Sequence, residues 1–245
     1  MNADATDQAL PPALSTIDPT TLDLLGELPT ATLSAQLRRL GLPSAVIGGL
    51  DVLQPNRRLL GVARTLRYLP LREDLAEARG MGVQRALLET LRPGDVLVID
   101  ARGDLGAGVI GDISAQRAAH LGATGVVTDG PLRDAAVLAS FPLAIYHRGV
   151  HPSQPSQRHV PFAADVAVAV AGVTVEPGDV LVGDQDGVVV LPPGRANEIA
   201  LAAAAQEAEE RFVAEQVANG ESLTGLFPMG ANWRGIYEAQ RDSSG

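Results

Sequence analysis

Gly125-Val126-Val127-Thr128 is a short apolar, β-branched run that stops at Asp129-Gly130-Pro131, strong turn punctuation. Leu132, Arg133 and Asp134 follow, just before an Ala/Leu-rich run of helical character. A four-residue run without polar alternation reads as a strand buried on both faces. The chain must therefore cover that strand with layers. The turn then delivers a cation and a carboxylate side by side where the strand ends, a pair suited to an anionic ligand and a hard metal ion.

Around this stretch, strand-like and helix-like runs succeed each other. Strands are predicted over residues 59–68, 95–100, 142–146, 166–175, 180–182 and 188–191. Helices are predicted over 30–41, where Leu33, Leu37 and Leu40 share a face and Gly41 is the stop, and over 71–92 with a weak break at Gly80 and Gly82. Further helices are predicted at 112–121, 135–140 and 195–219, the last with Glu207 and Arg211 at a favourable i,i+4 spacing. This mixture predicts an α/β fold of helices layered on mixed β-sheets. Residues 1–28 read as a loose arm with a short helix near residues 21–25, residues 29–222 as the domain, and residues 223–245 as an irregular tail. Residues 151–162, rich in Pro, Ser, Gln and His, read as a long surface loop. Pro93-Gly94-Asp95-Val96-Leu97-Val98 recurs as Pro177-Gly178-Asp179-Val180-Leu181-Val182, which reads as one turn chemistry used twice.

The 245 residues are 46% hydrophobic but only 3% aromatic, so the core must be built from Val, Leu, Ile and Ala. A formal net charge of −10 makes the chain a poor candidate for binding nucleic acid through phosphates, which needs a basic face, and no nucleic-acid partner is expected. With no cysteine, disulfides and thiolate metal sites are excluded. Residues 1–12 lack a basic n-region and an apolar h-region, and no apolar run spans a bilayer. These features predict a soluble, cytoplasmic protein with no membrane partner.

Several motifs compete for the chemistry. Gly106-Ala107-Gly108-Val109-Ile110-Gly111 matches G-x-G-x-x-G between a strand and a helix, with Asp129 near the distance of a ribose carboxylate. The five or so residues separating it from the strand, and the β-rich pattern beyond Asp165, make a dinucleotide site the minority reading. Gly111-Asp112-Ile113-Ser114-Ala115 opens a helix, whose first N–H groups and dipole favour an anion. Asp112 can cap that helix or face a metal, and can do both only if its two oxygens divide the work. Arg133 offers a planar fork for a carboxylate or a 2-oxoacid, and Asp134 a hard oxygen ligand. His120, His147, His151 and His159 lack zinc-site spacing; His151 and His159 are expected to be solvated. Asp184-Gln185-Asp186-Gly187 lacks the glutamate of a calcium loop and reads as a hairpin turn.

The blocks at 111–115, 125–134 and 172–192, in this order and spacing, resemble the RraA-like family over roughly residues 30–222. That family includes metal-dependent class II 4-hydroxy-4-methyl-2-oxoglutarate / 4-carboxy-4-hydroxy-2-oxoadipate aldolases and the regulator of ribonuclease E activity. The resemblance implies a layered α/β/α, swivelling-domain-like fold with mixed sheets, assembled as a homotrimer or a dimer of trimers. It implies a divalent Mg²⁺ or Mn²⁺ ion, with Asp134 as direct ligand and Asp112 orienting metal-bound water. Arg133 would hold the pyruvyl oxygens, and the backbone amides of Ile113 and Ser114 a carboxylate. A glutamate from a neighbouring subunit completes the family's site; Glu210 is the best match, with Glu207 and Glu209 as rivals. The implied reaction is cleavage of a 4-hydroxy-2-oxoacid to pyruvate through a stabilised enolate, with oxaloacetate decarboxylation as a side activity. The alternative it implies is a protein-binding regulator of a ribonuclease. Three features depart from the family: Ala35 stands where an aspartate is usual, and the 151–162 segment and the tail are unlike it.

Overall fold

The structure, a computed structural model, describes residues 10–243. Helices α1 (Pro19–Glu27) and α2 (Thr30–Arg39) are followed by short strands β1 (Val46–Ile47) and β2 (Asp51–Val52) and the long β3 (Leu59–Pro70). Next come α3 (Glu73–Arg79), α4 (Gly82–Glu89), β4 (Asp95–Asp100), α5 (Asp112–His120), β5 (Gly125–Thr128), α6 (Ala135–Leu138) and β6 (Ala144–His147). Strands β7 (His159–Ala164), β8 (Val168–Val170), β9 (Val173–Val175), β10 (Val180–Asp184) and β11 (Gly187–Leu191) precede α7 (Ala196–Ala218) and α8 (Ala231–Ser243).

One nine-stranded mixed sheet runs β1-β11-β10-β3-β4-β5-β6-β2, with β7 pairing on β3. Its centre, β3-β4-β5-β6, is parallel, and every other pairing in it is antiparallel. The central strands are apolar on both faces because both are covered. Leu97, Ile99, Val126 and Ile145 face α4 and α5, whereas Val96, Val98, Val127 and Ala144 meet the β8–β9 hairpin through Val168, Val170 and Val175. At the antiparallel end, Val180, Val182, Val189 and Leu191 bury α1, α2 and α7 through Leu25, Leu33, Leu37 and Ile199. The expected layered α/β fold with a mixed sheet is thus the one observed. The layer opposite the helices is the β8–β9 hairpin.

Three segments differ from expectation. The short helix expected near residues 21–25 is present but longer, residues 19–27, and it is packed, not part of a loose arm: Asp18 caps it by accepting from Thr21 N at 3.0 Å, and Leu25 and Leu28 are buried. Residues 1–9 of the predicted arm lie outside the described residues. Residues 159–164 belong to β7, which pairs with β3, so only the first part of the expected 151–162 loop is loop. In the tail, α8 lays Trp233 and Tyr237 against Phe212 of α7, at ring-centroid distances of 6.3 and 5.4 Å. That contact depends on residues more than twenty positions apart and has no local signal. Glu207 accepts from the Thr32 hydroxyl on α2, across the α2–α7 contact.

The repeated Pro-Gly-Asp turn is confirmed as turn chemistry, with Gly94 at φ 86° and Gly178 at φ 94°. The two aspartates differ in company. Asp95 is bound by Arg64 at 3.1 Å, whereas among the described residues no ion pair includes Asp179, whose Oδ2 accepts only from Glu176 N at 2.8 Å. Burial therefore pushes Asp179 up to about 6. A folded-state value above the ordinary carboxylate range means that the charged form opposes folding above about pH 6, and that this penalty fades as pH falls toward the unfolded value. Asp179→Asn keeps an acceptor for Glu176 N. It is expected to raise the melting temperature at about pH 7.5 and to leave it unchanged near about pH 3.5. Thermal melts at both pH values check this; the same gain at each would contradict it.

Candidate active site

The loops leaving the carboxyl ends of β4, β5 and β6 converge on one side of the parallel strands, the usual place for a ligand in an open α/β sheet. They are laced together by backbone. Val109 N donates to Pro131 O at 2.8 Å, Arg133 N to Ile110 O at 2.9 Å, Leu132 N to Gly149 O at 3.0 Å and His151 N to Leu132 O at 2.9 Å. Parallel bridges Ile110–Leu132 and Leu132–Val150 complete the lacing.

Asp129 anchors the arrangement from beneath. Its buried carboxylate accepts from Ala101 N at 2.8 Å and Gly103 N at 2.9 Å, which fixes the turn after β4. Burial raises its pKa although these amides oppose the shift. With both oxygens engaged beneath the loop, Asp129 is not a ribose ligand, and the dinucleotide reading loses its acidic partner. His159 is a second anchor. It is 1% exposed, not solvated as expected, because β7 carries it into the sheet, where it stacks on Tyr68 with ring centroids 5.2 Å apart. Burial pushes its pKa down to about 4, so the neutral ring can accept at Nδ1 from Arg102 at 3.0 Å. Tyr68 Oη and Gln84 Nε2 both donate to Val109 O, at 3.1 and 3.2 Å.

Above these anchors lies a cleft of about 280 Å³, lined among others by Gln84 and Arg85 of α4, Gly111, Asp112, Ile113, Ser114 and Arg133. The structure thus brings together four of the residues singled out in the sequence. Asp134 adjoins them: it caps α6 from the left-handed region at φ 55°, and its Oδ2 lies 3.0 Å from where a Cβ on Gly111 would stand. A non-glycine residue in that conformation is strained, and the lacing of residues 131–133 holds it there.

Each polar group has a definable state. Asp112 is the first residue of α5 and its Oδ1 accepts from Ile113 N at 2.8 Å. Its Oδ2 has no partner among the described residues; Gly111, not Asp112, occupies the N-cap position, and no side chain caps α5. Ser114 N makes no hydrogen bond within the described residues and is open at the helix start. The Asp134 carboxylate makes no capping bond to its helix. Arg133 Nε is buried without a partner, which costs on the order of 1–3 kcal/mol until an acceptor arrives.

Two aspartates with unengaged oxygens on adjoining segments are a hard, sparse donor set. Among the described residues no group of three His, Cys, Asp or Glu side chains stands together as a metal cage. The pair fits Mg²⁺ or Mn²⁺, which take one or two carboxylates and keep several waters. Asp134 and Asp112 are the residues that could hold such an ion.

The C-terminal glutamates lie elsewhere. Glu210 accepts from Gln206 at 2.8 Å, and Glu209 pairs with Arg234 at 3.0 Å. Both line a separate groove with Ala35, Arg38 and Arg39. Within one chain none of Glu207, Glu209 and Glu210 lines the Arg133 cleft. Gln84 and Arg85, which carry no local signal in the sequence, also enter the cleft from α4, more than twenty residues before the motif they face.

Known proteins resemble this chain along most of its length. The family model described as RraA-like, Aldolase/RraA, matches residues 30–190. A protein of Halalkalibacterium halodurans named "Putative 4-hydroxy-4-methyl-2-oxoglutarate aldolase" is 33% identical over 67% of this chain and 76% of its own length. A protein of Pseudomonas fluorescens with the same name is 38% identical over 40% of this chain and 60% of its own. Among solved structures, RraAS2 of Streptomyces coelicolor, described as an unusual member of the RNase ES inhibitor RraA protein family, superposes with a TM-score of 0.74. It is 36% identical, and the match covers 80% of this chain and 96% of that one. Among the described residues no helix is long and apolar enough to cross a membrane.

Proposed function

This chain belongs to the RraA-like family, and we propose that within it the protein is a divalent-metal-dependent lyase that cleaves a 4-hydroxy-2-oxoacid to pyruvate. The observation that carries this reading is the single cleft that gathers Arg133, Asp112 and the open start of α5, with Asp134 alongside. The aldolase names of the relatives support it.

Arg133 supplies a rigid guanidinium fork, with one donor already desolvated, for the carboxylate and 2-oxo oxygens of the substrate. Ser114 N–H, at the positive end of α5, adds a donor for carboxylate. Ile113 N–H joins it when Asp112 Oδ1 turns away. A divalent ion held by Asp134, and through water by Asp112, would supply Lewis acidity at the 2-oxo oxygen. As the C3–C4 bond breaks, the C4 hydroxyl gives its proton to water in the open cleft, from which C3 later takes one, and C4 becomes a carbonyl. The electron pair moves into the three-carbon fragment, where Arg133 faces the oxygen on which negative charge grows. That stabilisation is aimed at charge developing in the transition state. Protonation at C3 releases pyruvate. Decarboxylation of oxaloacetate builds the same charge at the same place, so the side activity belongs to this proposal.

Glu210 enters only from another copy, because its own chain keeps it away from the cleft. The exposed Ile113 (80%), Val150 (62%) and Val137 (47%) on these loops and α6 support burial of this face in a homotrimer or a dimer of trimers. A monomer in sedimentation would remove that part of the proposal. The proposal is tested by pyruvate release from 4-hydroxy-4-methyl-2-oxoglutarate with and without Mg²⁺. A second reading, a protein-binding ribonuclease regulator, is supported by the likeness to RraAS2. It requires that the metal-free protein inhibit a ribonuclease by direct contact, and a null inhibition assay counts against it.

A further inference from the structure

We infer that Gly108 is a positioning residue whose bare Cα sets the rotamer of Arg133. The inference rests on the reading of Arg133 as the arginine that binds the 2-oxoacid.

The three glycines of the Gly106–Gly111 motif are not open toward a phosphate. Each makes room for charged side chains of this protein. A Cβ on Gly106 would stand 2.7 Å from Arg158 Nε and 3.1 Å from Asp104 Oδ1, and one on Gly111 would stand 3.0 Å from Asp134 Oδ2. One on Gly108 would collide with Arg133 Cγ, and would lie 3.1 Å from both Arg133 Cδ and Arg133 N. These contacts differ in kind. Arg158 presents its far end to Gly106, is half exposed, and can swing away while keeping a route to Asp104. At Gly108 the obstruction is the stem of the side chain and the backbone itself. Neither can move freely, because Arg133 N is tied to Ile110 O at 2.9 Å and Val109 N to Pro131 O at 2.8 Å. A methyl group at position 108 must therefore expel Arg133 from its rotamer, which removes the guanidinium from the cleft. The buried, unpartnered Nε shows how closely the stem is enclosed as it is.

The test is a double-mutant cycle on the full chain, read by kcat/KM for pyruvate release in Mg²⁺ and by melting temperature. Gly108→Ala is expected to lower kcat/KM by roughly 100-fold, the scale of a misplaced binding group, and to lower the melting temperature. In an Arg133→Ala background the stem is gone. There the same substitution is expected to change kcat/KM by less than about threefold, with most of the loss in melting temperature relieved. Gly106→Ala is expected to stay within about threefold of wild type, since Arg158 yields. A Gly108→Ala protein that folds only in the Arg133→Ala background supports the inference. Equal losses in both backgrounds, or wild-type values for Gly108→Ala, overturn it. An inactive wild type would sink the proposed function, and the melting-temperature cycle would still decide the role of Gly108.

Discussion

Arg133→Ala is expected to lower kcat/KM for pyruvate release by about 10²–10³-fold, the usual effect of removing one preorganised donor from a developing oxyanion. The same variant is expected to melt within a few degrees of wild type. The two halves of this expectation come from one feature. Arg133 makes no side-chain hydrogen bond within the described residues, and its Nε is a buried donor without a partner. Truncation therefore removes an unsatisfied group and relieves part of a desolvation penalty while abolishing the fork that the substrate would complete. Arg133→Lys should recover only part of the loss, because an ammonium offers a point charge and not two parallel donors. Steady-state kinetics on purified variants, with melting curves beside them, check this. A loss of stability as large as the loss of activity would make Arg133 a structural residue.

Arg64→Ala is expected to destabilise the fold by about 3–5 kcal/mol, the range for removing one partner of a buried pair, and to lower the melting temperature by roughly 10 °C. Arg64 on β3 is fully buried. It binds Asp165 through Nε and a terminal nitrogen, both at 2.9 Å, and Asp95 at 3.1 Å. It also reaches Thr90 O at 2.8 Å and Thr90 Oγ1 at 2.9 Å. It thus joins β3, the start of β4, the end of α4 and the turn after β7. Removing it strands the Asp95 carboxylate, which is 0% exposed, with only Arg92 N at 2.8 Å and the Arg92 guanidinium at 3.5 Å for company. An Arg64→Leu, Asp95→Asn double variant removes both charges and should recover a substantial part of the loss. Denaturant unfolding measures each; a double variant as unstable as the single one would show that the charge is not what matters.

The parts of the site that the sequence announces are those whose signals are local. A β-branched run, an Asp-Gly-Pro turn and an Ala/Leu-rich run place Arg133 and Asp134 at a strand end. A glycine before Asp112 places Ser114 at a helix start. The structure brings Arg133 and Ser114 to one cleft, with Asp134 adjoining it. What the sequence hides depends on distant partners. Gln84 and Arg85 read as ordinary helix residues until β3 and β4 set α4 over the cleft. His159 follows a Pro- and Gln-rich stretch that looks solvated, and only the stack on Tyr68 and the pairing with β3 bury it. The Gly106–Gly111 motif fits a phosphate loop letter by letter; Arg158, Arg133 and Asp134, each more than twenty residues from the glycine it faces, give it another meaning. The tail shows the same limit, since α8 owes its place to Phe212 on α7.

The most direct test of the central claim is pyruvate release from 4-hydroxy-4-methyl-2-oxoglutarate by chelator-treated protein, before and after Mg²⁺ is restored, for wild type and Asp134→Ala. The account predicts negligible turnover without metal, recovery on addition of Mg²⁺ in the wild type, and no recovery in Asp134→Ala at the same concentration. Folded wild-type protein that releases no pyruvate from this substrate, from other 4-hydroxy-2-oxoacids or from oxaloacetate at any Mg²⁺ or Mn²⁺ level would contradict it, as would turnover indifferent to chelation.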